Sequence, residues 1–411
     1  MRILLVSDFY PPLIGGTEFH VQRLAHGLLA RGHCVQVLNF AGGTPALSSL
    51  DESGVKIECS GHSFSHLSAI YAVKKRRYIL PFPDPVASVQ LERTVREFNP
   101  QVIHAHGWCI FTVAALKRKH PGLPIVSTLH DYGFVCPAQN YFQTQAQIPC
   151  WLRSPSAMCV RCTKATYGRA KALSLMLLLS TFKKTLDRLD RHIAVSRFVA
   201  AVARHAGFSK VVVIPNFVDV DEMEQKGTQD YVDRKVDILY VGELSLNKGI
   251  DTILRAHERI RSLVGREVNL YLVGKEEGRN IMTGLKPNVK VIRNPPWHVI
   301  HSLLRQTKVV VVPSIWPDPC PTTALEAMAV GRPVVSSDVG GLPDIIVDRE
   351  SGFLVGPNDQ QSWANTVAEV MNDPAVAREV GKKAQERIER HFSSSVVIPQ
   401  IEDVYKGLQS S

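Results

Sequence analysis

The chain has 411 residues, 45% of them hydrophobic and 21% charged, with a formal net charge of +10. That composition excludes a disordered chain, and the length exceeds what one ordinary core accommodates, so two domains are expected. The positive balance favours anionic partners, such as nucleotide phosphates, nucleic acid or an acidic membrane surface, without choosing among them.

The chain opens on a short apolar run, Ile3 to Ser7, that meets Asp8 at once and reads as a strand, not a signal peptide. Thr17 is expected to cap a helix carrying Val21, Leu24 and Leu28, and Cys34 to Phe40 is the next strand. Val86 to Phe98 reads as a helix. Val102 to His104, Ile125 to Leu129, Ile193 to Ser196 and Val211 to Pro215 read as further strands. The polar stretch from Asp219 to Arg234 reads as a linker. A second series of strands follows at Val236–Gly242, Asn269–Gly274, Val289–Arg293, Lys308–Ser314 and Pro333–Ser337. Apolar runs alternating with helices imply parallel sheets covered on both faces. The expected architecture is α/β: two doubly wound, Rossmann-like domains facing across a cleft, with ligands beyond the carboxyl ends of the strands. The expected division is 1–217, including a Cys-rich insert at 136–162, then 218–392, then an amphipathic C-terminal helix in 393–411 packing back towards the first domain.

No stretch approaches the roughly 20 apolar residues of a spanning helix. The nearest, Ala172 to Leu179, is followed by Lys183 and Lys184. It reads as a buried helix or as a surface resting on an anionic membrane, and Lys74, Lys75, Arg76 and Arg77 fit the second alternative. The expected location is cytoplasmic, at the inner face of the cell membrane if that surface is used. The basic residues are dispersed and no aromatic platform accompanies them, so nucleic acid is not an expected partner.

Several residues carry chemistry. Gly15 and Gly16 lie between the first strand and helix, where backbone can approach an anion, but the dinucleotide spacing GxGxxG is absent. His104 and His106 close one strand and His130 and Asp131 the next, so two strands present histidine at one edge. Gly107 suggests that the strand is ending, which makes His106 a loop residue. Lys248, before Gly249, is suited to neutralise a diphosphate. Asp318 precedes Glu326 by eight positions across a Pro-rich turn, and a carboxylate accepts two hydroxyls of a ribose or hexose. Glu326 is read as opening a short helix, and Thr322 and Thr323 as helix-start residues with amides facing phosphate. Gly340 and Gly341 repeat the glycine theme. Cys136-x13-Cys150-x8-Cys159-x2-Cys162 suits a structural zinc, with an iron–sulfur cluster, free thiols or a labile disulfide as alternatives.

Taken in order, the double glycine, His106 before Gly107, Ser196, Ile214-Pro-Asn216, Lys248-Gly249, Gly274, Pro313-Ser314, Glu326-Ala-Met-Ala329 and Gly340-Gly341-Leu-Pro343 resemble the retaining glycosyltransferases of family 4, also called glycosyl transferases group 1. The resemblance covers nearly the whole chain and implies the GT-B fold, a nucleoside-diphosphate sugar donor in the C-terminal half, an acceptor in the N-terminal half and no catalytic metal. It implies that Glu326 binds the ribose, Asp318 the donor sugar and Lys248 the diphosphate. Gly15, Gly16, Thr322, Thr323 and Gly340 line the donor, His106 contacts the sugar, and His130 and Asp131 lie towards a saccharide or lipid-linked acceptor. Two positions depart from the family pattern. Asp318 replaces a glutamate, and Glu243 stands where an arginine is usual, with Arg293 and Arg332 as candidates to compensate. These departures leave a second reading open, a catalytically silent partner in a polysaccharide assembly complex.

Overall fold

The computed structural model describes residues 1–13, 15–41, 47–67, 78–143, 146–225, 236–275 and 284–409. The basic run at 74–77 and the latter part of the expected linker, 226–234, lie outside them. The chain divides into two compact units, Met1–Pro215 with Val397–Ser411, and Asn216–Val396.

In the first unit the strands are β1 (Arg2–Ser7), β2 (Cys34–Asn39), β3 (Leu47–Leu50), β4 (Lys56–Cys59), β5 (Val102–His106), β6 (Ile125–Leu129), the hairpin strands β7 (Phe142–Gln143) and β8 (Ile148–Pro149), β9 (Arg191–Ala194) and β10 (Val211–Val213). Eight of them form one sheet in the order β10-β9-β6-β5-β1-β2-β4-β3, parallel except for β3 against β4. The second unit holds β11 (Ile238–Val241), β12 (Leu270–Gly274), β13 (Val289–Arg293), β14 (Val309–Val312), β15 (Val334–Ser337) and β16 (Phe353–Val355), ordered β13-β12-β11-β14-β15-β16 and wholly parallel. Ile3–Val6, Ile238–Tyr240 and Val309–Val311 are fully or almost fully buried, as central strands covered on both faces must be.

Strand order reverses direction between β1 and β5 in one sheet and between β11 and β14 in the other. Crevices for ligands open at such switch points, beyond the carboxyl ends of the strands. The loops after β1, β5, β11 and β14 therefore border these crevices.

Local signals set several boundaries. Asp84 accepts a hydrogen bond from the Ala87 amide, with Pro85 at the first helical position, and starts helix Pro85–Phe98. Thr17 does not cap the first helix. Gly16 opens it and extended Gly15 is the N-cap, so Thr17 lies inside the first turn. Part of the expected linker is helical, at Val220–Gln225.

Helix Ser394–Gln409 buries Val397, Ile398, Ile401, Glu402 and Tyr405 along one stripe. From Val397 onward it belongs to the first unit. Ile398 fills the space left at Gly27, where a Cβ would collide with its side chain. Glu402 takes a bidentate pair from Arg31, at 2.6 and 2.9 Å, and a further bond from His33 Nε2 at 2.8 Å. Arg31, with His33, holds the Glu402 carboxyl down at about 2. The Tyr405 hydroxyl meets His104 Nδ1 at 2.6 Å.

Candidate active site

At the carboxyl edge of the second sheet, two loops are pressed together by glycine. Gly249 has φ +75°, and a Cβ there would strike the Pro313 carbonyl. Gly340 has φ +60°, and a Cβ would enter the Pro317–Asp318 backbone. The Ile315 amide donates to Asn247 O at 3.0 Å and the Gly341 amide to Asp318 O at 2.8 Å. The loop after β11 is thereby fixed against the loop after β14.

This packing brings Lys248 onto Asp318, with Nζ to Oδ2 at 2.5 Å. Ser314 Oγ donates to the same oxygen at 3.2 Å, and the ammonium also lies 4.9 Å from the centre of the Trp316 ring. Asp318 is 6% exposed and Lys248 24%, so the cation remains open to solvent while its partner is buried. Two residues assigned to different parts of a ligand are thus a salt bridge. An incoming anion has to share or displace Asp318.

Glu326 is buried within helix Thr322–Ala329 and does not open it. Thr322 and Thr323 do open it, with Pro321 as N-cap and no side chain capping the start. A helix N-terminus of this kind favours negative charge. Thr323 Oγ1 is engaged with Val241 O at 3.2 Å. Glu243 is exposed, and its carbonyl accepts from the Tyr240 hydroxyl at 2.5 Å. Arg332 does not stand near this edge. It precedes β15 and donates to Thr307 O at 3.3 Å, just before β14, which is the amino edge of the sheet. Arg293 ends β13 and is therefore at the carboxyl edge, on the outermost strand.

In the first unit the switch point is built around Asp8, which the sequence reading does not single out. Its carboxylate accepts from the amides of Trp108 at 2.8 Å and Cys109 at 2.7 Å. Gly107, at φ +89°, lets that carboxylate approach, since a Cβ would lie 2.7 Å from Oδ2. Burial pushes Asp8 up to about 7 despite these amides, and pushes Asp131 up to about 6.

His106 is the last residue of β5 and fully buried, not a loop residue. The strand continues past His104, so both imidazoles fall on one side, with ring centroids 4.2 Å apart. His104 is engaged at both nitrogens, by Tyr405 and by Thr128 Oγ1 at 2.7 Å. His106 Nδ1 meets His130 Nε2 at 3.0 Å. His20, from the first helix, joins them edge-on to His130 at 4.6 Å. Burial holds His20, His104 and His106 below their usual range, so they are neutral at pH 7. Among the described residues, His20, His106 and His130 offer ligand atoms that all lie within 4.8 Å of one another and are able to hold a metal ion. His20 was not legible as a site residue: it is a polar position on an amphipathic helix, and only tertiary packing brings it to the other two.

The two sheets and the order of their strands are those of the GT-B fold. Sucrose-phosphate synthase from Thermosynechococcus elongatus aligns over 100% of this chain and 99% of its own, with a TM-score of 0.71 and 20% identity. Anabaena Alr3699/HepE in complex with UDP aligns over 99% and 100%, with a TM-score of 0.67 and 20% identity. Residues 14–222 match Glycosyltransferase Family 4 and residues 221–387 match Glycosyl transferases group 1. The α-maltose-1-phosphate synthase of Mycolicibacterium smegmatis is 37% identical over 440 aligned positions, covering all of both chains. A glycogen synthase of Mycobacterium tuberculosis is 27% identical over 98% of this chain and 94% of its own. The chain belongs to glycosyltransferase family 4 and is an enzyme of that class.

Proposed function

We propose that this enzyme transfers a hexose from a nucleoside-diphosphate sugar to a saccharide or lipid-linked hydroxyl with retention of anomeric configuration. The observation that carries the reading is the Lys248–Asp318 pair at the β11/β14 switch point, beside the uncapped start of the helix that contains Glu326. Glu326 takes the ribose hydroxyls. Lys248 and the amides of Thr322 and Thr323 take the diphosphate, and Asp318 and Gly340 lie against the donor sugar. The nucleotide-bound relative HepE supports a donor of this class.

In the first unit, Gly15 and Gly16 offer backbone to the donor and neutral His106 hydrogen-bonds sugar hydroxyls. His130 and Asp131 face the acceptor. The acceptor hydroxyl attacks the face from which the diphosphate leaves, and a donor phosphate oxygen takes its proton. Lys248 and the helix amides stabilise the charge that develops on the leaving group. Calorimetric titration with UDP, GDP and ADP tests the donor half-site. One nucleotide is expected to bind, and to bind at least tenfold more weakly to Glu326→Ala. Equal binding by both proteins would remove Glu326 from the site.

A lipid-linked acceptor implies docking at an anionic membrane face. No helix among the described residues is long and apolar enough to cross a membrane. Helix Arg169–Phe182 buries Ala172, Leu175 and Leu179 but exposes Leu173 and Leu177, with Arg169 and Lys184 on either side. Such a face suits the boundary between headgroups and acyl chains. Sedimentation with vesicles containing phosphatidylglycerol is expected to carry the protein down. Leu173→Glu/Leu177→Glu is expected to lower that binding about tenfold without changing nucleotide affinity. Unchanged sedimentation of the variant would exclude this face.

A further inference from the structure

Three imidazoles from three separate elements converge in the first unit. His20 lies on helix Gly16–Ala30, His106 ends β5, and His130 directly follows β6. Each offers a ring nitrogen, and these nitrogens all lie within 4.8 Å of one another. The rings are held by their neighbours. His106 and His130 stack with centroids 5.3 Å apart and planes at 25°, and His20 stands at 71° to His130. His104 lies against the His106 ring with both of its own nitrogens engaged, by Tyr405 and Thr128. It supports the cluster and is not itself a ligand.

The spacing is close to that of a metal site. Zinc binds imidazole nitrogen at about 2.0–2.1 Å, which sets the nitrogens of a tetrahedral site about 3.3 Å apart. His106 Nδ1 and His130 Nε2 are already 3.0 Å apart. No pair of the three ligand atoms has more than about 1.5 Å to close, which a small rotation of a ring supplies. Both nitrogens of the His106–His130 contact ligate once the donating ring carries its proton on its other nitrogen, so neither ring changes charge. The cluster also leaves one polar atom unmatched. His106 Nε2 is buried and has no hydrogen-bond partner among the described residues. Such an atom is costly to leave unpaired, and a position that tolerates it is suited to a ligand.

Three imidazoles suit zinc and its neighbours in the first transition row, and they leave a fourth coordination position open. His130 is the partly exposed member of the set and gives an ion its way in. Carboxylates stand close by to offset part of the ion's charge. Asp131 follows His130 in the chain, and the Asp8 amide donates to His106 O at 3.3 Å.

We propose that His20, His106 and His130 bind one divalent ion of the zinc class. The ion occupies the His106 ring that the proposed reaction gives to the sugar, so a loaded site opposes binding of the donor sugar. It acts as an inhibitor and not as a cofactor. That consequence rests on the proposed function, whereas ion binding itself does not.

Cobalt and zinc titrations of the purified, metal-stripped full chain test the site. One cobalt per chain is expected, with the visible absorption of a four-coordinate nitrogen site and no sulfur-to-cobalt charge-transfer band. His20→Gln is expected to bind at least about tenfold more weakly. Because that variant could disturb the packing of the first helix, a second measurement uses the wild type alone. X-ray absorption of protein loaded with one equivalent of zinc is expected to show three imidazole nitrogens at about 2.0–2.1 Å. No binding, equal affinity in His20→Gln, or a shell of sulfur that assigns the ion to the clustered cysteines would overturn the proposal. Calorimetry with the nucleotide sugar separates the site from the reaction. Zinc that weakens nucleotide-sugar binding in the wild type, but not in His20→Gln, supports both. Zinc that binds and leaves the nucleotide sugar unaffected keeps the ion site and removes His106 from the sugar.

Discussion

Lys248→Ala is expected to lower kcat/KM for the nucleotide sugar about 10²–10³-fold, the usual effect of removing one group that stabilises a leaving charge. The structure makes the loss larger than the absence of one cation. Lys248 now neutralises Asp318, and its removal leaves a buried carboxylate beside the position assigned to the diphosphate. At close range that repulsion adds to the lost attraction. Losses at Lys248 and Asp318 are therefore expected to be non-additive. Lys248→Ala/Asp318→Asn should be no worse than Lys248→Ala, because the second change removes the repelling charge. Steady-state release of nucleoside diphosphate from the four proteins of the cycle checks this. Strict additivity would mean that the pair does not act as a unit when the donor is bound.

Glu402→Gln is expected to have the largest effect on stability. Glu402 is 4% exposed and carries three short hydrogen bonds from Arg31 and His33. Its folded value of about 2 lies below the ordinary value of 4.5. A carboxyl depressed on folding stabilises the protein above its unfolded value. That contribution disappears as pH falls through the folded one. The difference corresponds to about 3 kcal/mol near neutrality, decaying between roughly pH 4.5 and 2. The glutamine variant should therefore melt well below the wild type at pH 7 and converge with it towards pH 2. Denaturant unfolding at pH 7, 4 and 3 measures the gap. A gap that stays constant with pH would assign the loss to packing and not to the ion pair.

The sheets were legible because their strands are continuous apolar runs such as Val309–Val312, and the parallel pairing follows from the helices between them. Lys248, Asp318 and Glu326 could be picked out as candidates because they lie near glycines and strand ends, the positions at which folds of this kind hold ligands. Their mutual contact was not. It depends on Gly249 and Gly340 letting two loops close on each other, which spacing along the chain does not reveal. Asp8 follows β1 directly, a position that the switch-point rule could have flagged once the strand order was known. His20 and Tyr405 reach the β5 histidines from helices remote in sequence, and no local pattern marks them. Arg332 fails as a phosphate ligand for a reason the sequence does contain. A residue just before a parallel strand lies at the amino edge, opposite the carboxyl edge at which such sheets bind ligands.

The most direct measurement is release of nucleoside diphosphate from UDP-, GDP- and ADP-sugars by purified protein, with and without a mixed lipid and glycan extract. The account predicts release from one donor that rises with the extract and is lost in Glu326→Ala. No release from any donor, with no nucleotide bound by calorimetry, would contradict it.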